Sequence, residues 1–597
     1  MKVLGEVISD GNLFGFVRLE RPEILELSEH LSHFYIELIE KLSSNYSVRY
    51  GLPQDALRII LRTAIVPVSH CFFERLVRLN KIVHASKCKP TVGAQSLFSI
   101  PDTIEEFQER ISTPQFNQSV ISLLAEVWGL KIIDIHQIAE QNPAQPTTFK
   151  NNLFRIDQSK FSLSSILSGV SRYIKWLPPL GRFPALTFAN MTGALHKRFF
   201  YLMNFKQLDE GWKQEHVKAD LFLRESMLNE SQLTLNVINN VLSIYDFSEK
   251  QKSIITKLFF KFLRASIPLQ FLEAFQNNYN AAEKVLAPFK VRALMYSSAG
   301  GTRSSFVVGV AKTLGFKIIN AQHGGHYGYI EDLSKILEIE WPMSDIFLTW
   351  GWTRLPRHAA IMQMQTHPLP SPWLSERKMY WKDLVIEGNK KFDILWMPNM
   401  MKPFIGAPSG VGTIRLDVFD EVSTSMIDIV RNAARAKINI YCKPYNPISL
   451  DLMAAAYDQM RHIGGEFFVC ADRFDKGLTY ELLNKCRLVL WDQPGSGFLE
   501  CIACNIPTMV LWPRIYCEEE DWCIDDFNYL EEVGLIHRTP KSLINETQNF
   551  LLDPLAWMND LQRKLAVQSF ANKYALTYDK WWKTWRTYLK QLKNQNE

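Results

Sequence analysis

The feature that most constrains this chain is a repeated alternation of short apolar runs and helical patterns in its second half. VRALMYSS (291–298) reads as a strand ending in small residues, and SFVVGVAKTLG (305–315) as a helix with Gly315 as its C-terminal stop. FKIINAQHGG (316–325) is a second strand. Strand, helix and strand in so short a span make a βαβ unit, which requires parallel pairing and a right-handed crossover. After a break near 355–390 the alternation returns. FDILWMPNM (392–400), INIYCKPYNP (438–447), GEFFVCA (465–471), RLVLWDQPGSG (487–497) and IPTMVLWP (506–513) read as strands. DEVSTSMIDIVRNAARA (420–436), LTYELLNKC (478–486) and FLECIACN (498–505) read as the helices between them. That is a second α/β unit with about five parallel strands.

At 597 residues the chain is too long for one core. The reading is α/β: two Rossmann-like domains, a large and mainly helical N-terminal portion, and a long C-terminal helix. The expected domains are 1–345 on the acceptor side, with a helical insertion at about 150–290, then 346–575, then a basic, aromatic helix at 576–597. LLAEVWGLKIIDIHQIAEQ (123–141) reads as helix then short strand, and WLPPLGRFPALTF (176–188) as a loop between helices. LRIILRTAIVPVSHCFFERLVRL (57–79) is the longest apolar candidate, but Arg62, Pro67, His70, Glu74 and Arg75 interrupt it. A spanning helix needs roughly 20 predominantly apolar residues, so buried helix and turn are expected. No signal peptide is expected at MKVLGEVISDGNLFG, which lacks a basic segment followed by a long apolar one. Nine cysteines, an odd number, argue against a disulfide framework and suit a reducing cytoplasm. A net charge of +5 over this length does not point to nucleic acid.

Ligands of open parallel sheets bind beyond the carboxyl ends of the strands. Arg303, His323, Asn399, Lys443 and Asp492 all fall there. In DQPGSGFLE (492–500), Gly495 and Gly497 would let backbone approach a ligand, and Ser496 opens a helix whose free amides suit an anion. Glu500, one turn on, could accept two ribose hydroxyls; the alternative is a tight turn with an ordinary first-turn glutamate. Lys443, before Pro444 and Tyr445, could neutralise a phosphate or be a surface lysine. His323, ahead of Gly324 and Gly325, could act as general base or donate to a leaving phosphate; the alternative is a histidine satisfied by backbone in a buried turn. Gly300, Gly301 and Arg303 form a phosphate-loop-like turn that lacks the Gly-Lys-Ser/Thr ending, and simple N-capping explains it equally well. A metal on His323 and His326 is not expected, since no third ligand has suitable spacing. Cys501 and Cys504 read as core.

The order Gln-His-Gly, then Lys-Pro, then Asp, Ser and Glu before IPTMVL resembles the GT-B glycosyltransferases that build bacterial surface polysaccharides. The resemblance covers roughly 290–515. It extends to a transferase family of O-antigen and capsule gene clusters, and to enzymes using CMP- or CDP-activated donors, including Kdo transferases and CDP-glycerol phosphotransferases. It implies that His323 with Gly324 closes the first domain, and that Lys443 with Pro444, and Asp492, Ser496 and Glu500, line the nucleotide site. A histidine commonly stands where this chain has Tyr445. The expected activity is metal-independent glycosyl transfer from a CMP- or other nucleotide-sugar to a surface-polysaccharide (lipopolysaccharide O-antigen) or lipid-linked acceptor. His323, Arg303 and Lys443 would be catalytic. The donor would lie on Gly300, Gly301, Gly324, Gly325, Asn399, Tyr445, Asp492, Gly495, Ser496, Gly497 and Glu500. No cofactor is expected, the nucleotide-sugar being a substrate. A cytoplasmic location is expected, with peripheral membrane contact through Trp581, Trp582 and Trp585 as an option beside packing of that helix on the first domain. A CDP-alditol phosphotransferase, a sugar-nucleotide epimerase or a non-enzymatic glycan-assembly protein are the alternatives.

Overall fold

The structure is a computed structural model. It describes residues 18–86, 90–93, 99–133, 217–228, 238–287, 293–296, 300–331, 336–402 and 418–596, apart from 362, 383, 385–389, 475–476 and 516, together with the strand residues 7–9, 12–13, 201–202 and 413–414. The expected loop at 176–188, the residues 297–299 and most of the expected helical insertion lie outside the described residues. Inside them the insertion's helices are Leu221–Met227, Ile238–Ser243, Glu249–Ser266 and Phe275–Leu286.

Two antiparallel helices organise the N-terminal portion. Arg21–Tyr50 opens on a capping box between Glu20 and Glu23 and stops at Gly51, whose φ of 68° is a left-handed conformation that glycine tolerates best. Gln54–Ala85 runs back beside it. This helix is long and apolar enough to cross a membrane, yet 89% of its most apolar window is buried inside the protein. The turn expected near Pro67 does not form, and the proline sits inside the helix. Burial on all sides outweighs the hydrogen bond that a proline removes. The charges that interrupt the apolar run pair with one another: Glu74 is buried between Arg75, 2.5 Å away, and Arg78. Pro114–Leu124, a 3₁₀ turn and the strand Lys131–Ile133 follow in the expected order.

Among the described residues the first sheet has five parallel strands in chain order: Tyr201–Leu202, Ala293–Tyr296, Lys317–Ala321, Ile346–Thr349 and Gln365–Pro368. The last two strands carry this sheet past the expected boundary at 345, so the link to the second sheet falls in 369–391. The period-two alternation of a strand covers both faces. Leu294, Tyr296 and Ile318 face the helical N-terminal core, while Ala293, Met295, Ile319 and Ala321 face the chain's last helix. The helix Thr302–Thr313 bridges two of these strands and packs on Gln54–Ala85. Gly309 permits that contact, since a Cβ there would stand 2.6 Å from Ile60 Cγ1 and 2.9 Å from Ala56 O.

Among the described residues the second sheet has six parallel strands rather than five. Their spatial order is Phe468–Cys470, Ile440–Cys442, Phe392–Met397, Cys486–Trp491, Thr508–Leu511 and Ile536–His537. Numbered along the chain this is 3-2-1-4-5-6, the doubly wound order, and the direction of winding reverses between Phe392–Met397 and Cys486–Trp491.

The C-terminal helix expected at 576–597 is present as Trp581–Asn596, separate from the helix before it. Leu561–Tyr574 ends, and Trp581–Asn596 begins after a break. In the break Leu576 exchanges backbone hydrogen bonds with Trp350 and Ser371, so the chain leaves the second sheet and returns to the first. Trp581 and Trp585 are buried there, their indole N–H groups donating to Glu376 Oε1 and to Pro370 O, both at 2.8 Å. Trp582 stays half-exposed. The architecture is thus two Rossmann-like domains with a C-terminal helix crossing back to the first, the GT-B-like arrangement expected.

Candidate functional site

Asp492 ends the fourth strand of the second sheet, at the reversal point. Its Oδ1 accepts from Trp396 Nε1 at 2.7 Å and its Oδ2 from the Asn399 backbone N–H at 2.9 Å. The carboxylate therefore joins the ends of the two strands that flank the reversal. Burial pushes its pKa up to about 6, partly opposed by the two donors. Both oxygens are engaged within the protein, so Asp492 shapes the strand ends rather than offering a free acceptor. Lys443 lies at the next strand end, its backbone N–H donating to Trp396 O at 2.8 Å. Its side chain is buried, so it is not the surface lysine that was the alternative reading. Tyr445, two residues on, is 46% exposed, and Asn446 caps the helix Pro447–Leu452.

The helix Ser496–Cys504 starts directly after this strand end. The glycines around it were expected to admit a ligand; the structure uses them to bring two loops together. A Cβ on Gly497 would fall inside the Trp491 indole, and one on Gly495 would stand 3.0 Å from His326 Nε2. From the first sheet, a Cβ on Gly325 would stand 2.5 Å from Ser496 N and 2.6 Å from Gly495 C. Gly324 has Ser496 Oγ at 3.3 Å from its Cβ position. The Gly325 N–H donates to Ser496 Oγ at 2.7 Å, and Tyr329 donates to Pro494 O at 2.7 Å. Each loop lacks side chains where the other enters. Backbone bonds from Glu331 N to Glu518 O and from Glu520 N to Tyr329 O extend the junction, and Arg21 clamps it through Glu331 at 2.7 Å and Glu518 at 3.1 Å.

Gln322 sets the shape of the first loop. Its Nε2 donates to Gly324 O at 2.8 Å, and its Oε1 accepts from Trp350 N and Trp352 Nε1, both at 2.9 Å. His323 is exposed beside this loop. The Tyr327 phenol oxygen lies 3.1 Å from His323 Nδ1 and 3.2 Å from Nε2, and the phenol donates to Glu340 Oε2 at 2.7 Å. His326 is a different kind of histidine. It adopts φ 75°, unusual for a residue with a Cβ, its Nε2 is buried without a partner, and burial lowers its pKa to about 4, which keeps it neutral.

Two expected contacts are taken by the protein itself. Glu500 is 2% exposed, and its Oε1 lies 2.8 Å from Arg377 Nε of the helix Pro372–Tyr380. Burial raises the Glu500 pKa to about 8, opposed by the Arg377 guanidinium. At the first-sheet turn of Gly300, Gly301 and Arg303, Glu105 fills the start of the helix. It accepts from Thr302 N at 2.9 Å and from the Thr302 hydroxyl at 2.7 Å, and a Cβ on Gly301 would stand 2.6 Å from it. An internal carboxylate occupies what was expected to be a phosphate loop. Among the described residues, no group of three or more His, Cys, Asp or Glu side chains is placed to hold a metal ion.

Gln322 and Tyr327, one before and four after His323, are marked in the sequence only by that proximity. Glu105, Glu340 and Arg377 are marked by nothing local, since each acts on a partner brought near by the fold.

No curated protein matches the chain. The solved structures that resemble it include three at low identity. MurG of Acinetobacter baumannii is 10% identical over 50% of this chain and 75% of that one, with a TM-score of 0.27. A UDP-GlcNAc 2-epimerase of Methanocaldococcus jannaschii is 11% identical over 50% and 80%, with a TM-score of 0.30. A mutant O-GlcNAc transferase of Thermobaculum terrenum is 11% identical over 96% and 100%, with a TM-score of 0.28. A family model described as LIC12162 family transferase matches residues 20–589.

Proposed function

Because the chain belongs to the LIC12162 family of transferases, we propose that it transfers a glycosyl group from a nucleotide-activated donor to a hydroxyl of a glycan or lipid-linked acceptor. The observation that carries this reading is the 2.7 Å bond from Gly325 N–H to Ser496 Oγ. It holds the loop bearing His323 against the start of the helix Ser496–Cys504, at the reversal point of a doubly wound sheet. Such a helix start favours a phosphate through its free amides and its dipole, and His323 supplies an exposed base beside it.

In the proposed reaction the acceptor hydroxyl gives its proton to His323 as its oxygen bonds to the anomeric carbon. The bond from that carbon to the donor phosphate breaks, and its electrons leave with the nucleotide. Backbone amides at the helix start take the charge that develops on the phosphate. Arg303, beside a helix start already capped by Glu105, and Lys443, buried at its strand end, are given no direct bond to the donor.

A thermal-shift screen against CMP, CDP, UDP and GDP tests the donor class, with stabilisation by one of them expected. His323→Ala should remove turnover of the matching nucleotide-sugar while leaving that shift intact. No nucleotide binding at all would overturn the reading. A labelled alditol phosphate found in the product after incubation with CDP-glycerol would replace it with phosphotransfer.

A further inference from the structure

The last helix, Trp581–Asn596, has two faces of opposite character. Trp581, Trp585, Tyr588, Leu589 and Leu592 pack on the first sheet, beside Met295, Ile319 and Leu348. At 3.6 residues per turn, Trp582, Lys583, Arg586 and Lys590 fall within about 100° of one another on the other side. All four are exposed. The outward stripe is therefore cationic, with one indole at its edge, and the helix carries no acidic residue. Lys583 Nζ stands 5.4 Å from the centre of the Trp582 ring. The membrane option raised by the sequence rested on Trp581, Trp582 and Trp585 together. The fold takes the first and third into its core and leaves Trp582 outside. The cationic surface continues past the helix start. Lys580 is exposed, and Lys378 of the helix Pro372–Tyr380 reaches Thr577 Oγ1 at 3.4 Å. Tyr578, 53% exposed, sits at the same join, its backbone N–H donating to Ser375 Oγ at 3.1 Å. From Thr577 to Asn596 the one acidic residue is Asp579.

We propose that this outward face docks on an anionic lipid bilayer, with Lys583, Arg586 and Lys590 at the headgroups and Trp582 at the boundary with the acyl chains. A row of cations with no carboxylate among them is drawn to the negative surface potential of such a membrane, and each one strengthens binding by about fivefold. The exposed aromatics, Trp582 and Tyr578, favour a lipid surface over a soluble polyanion, because an amphipathic ring gains most where apolar and wet regions meet. The geometry suits a helix lying in the plane of the interface. Its inner face is anchored by its own tryptophans, so docking fixes the orientation of the first domain on the bilayer. The inference stands on the tail alone and does not depend on the proposed reaction.

Co-sedimentation of the full chain with lipid vesicles tests this. Equimolar phosphatidylcholine and phosphatidylglycerol should bind the protein, phosphatidylcholine alone should not, and added salt should release it. Lys583→Glu combined with Lys590→Glu should weaken binding by about 20-fold or more. The matched pair Lys257→Glu and Lys261→Glu, exposed on the helix Glu249–Ser266, changes net charge equally and should stay within about twofold of the wild type. All four positions are exposed, so the melting midpoints should match that of the wild type. Vesicles with brominated acyl chains should quench part of the tryptophan emission, and Trp582→Phe should remove that part. Equal losses in the two paired variants would show an effect of net charge and overturn the proposal. So would unweakened binding of the Lys583 and Lys590 pair, or quenching that Trp582→Phe leaves unchanged. Binding to heparin without binding to anionic vesicles would replace the bilayer with a soluble polyanion.

Discussion

Replacing Gly325 by alanine tests the contact on which the site depends. The added Cβ would stand 2.5 Å from Ser496 N and 2.6 Å from Gly495 C. Ordinary contact needs about 3.5 Å, so the loops must part by roughly 1 Å. Neither neighbour can rotate away, because both are backbone at a helix start. The φ of Gly325 is not in the left-handed region, so no dihedral strain is added and the effect is steric alone. Parting the loops also takes the 2.7 Å bond from Gly325 N–H to Ser496 Oγ past useful length. Overpacking costs about 1–3 kcal/mol and the lost bond about 1 kcal/mol more, for a total of about 2–4 kcal/mol. Urea denaturation followed by tryptophan fluorescence should show a lowered midpoint. Gly324→Ala is the matched control. Only Ser496 Oγ, a rotatable atom, lies near its Cβ position, at 3.3 Å, so the cost should stay below about 1 kcal/mol. A Gly325→Ala variant as stable as the wild type, or a Gly324→Ala variant less stable than Gly325→Ala, would contradict a steric contact at this junction.

Asp492→Asn leaves one acceptor oxygen for two donors, so either Trp396 Nε1 or Asn399 N–H loses its partner, at about 1–3 kcal/mol; an unchanged denaturation midpoint would contradict this. Burial holds the folded-state pKa of Glu500 at about 8 against a free value of 4.5. A raised carboxyl stabilises the folded state below the free value, and that contribution is lost as pH rises through the raised one. Stability should therefore fall between about pH 5 and 8, and Glu500→Gln should flatten that slope in a series of denaturation midpoints; an identical slope would refute the assignment. Trp585→Ala empties the contact between the last helix and the first sheet and leaves Pro370 O without its donor. A loss of about 3–5 kcal/mol is expected by denaturation, and a loss below about 1 kcal/mol would mean the helix is not seated there.

Much of the fold was legible because it is written locally. Val307, Val308 and Val310 in a helical run, and Ile318 and Ile319 in a short apolar one, state their secondary structure without reference to anything distant. Pro67 misled because a proline's local effect yielded to burial around the whole helix, which no window of sequence displays. The sixth strand, Ile536–His537, is two residues long and carries too little pattern to be seen. The boundary at 345 failed for a related reason: strand membership depends on which neighbour a strand pairs with, and Ile346–Thr349 pairs with Lys317–Ala321.

The site divides along the same line. Local pattern alone placed His323 and Asp492 just past strand ends and Ser496 at a helix start, because an apolar run that gives way to polar residues and glycine marks where a strand stops. What those residues do there followed from packing between distant segments. It gave the glycines to loop-on-loop contact, filled the helix start at Thr302 with Glu105, and buried Glu500 against Arg377. It also set Glu340 behind Tyr327. Each of these pairings joins segments that meet only once the strand order of both sheets is fixed, and such an order is a property of the whole chain's packing.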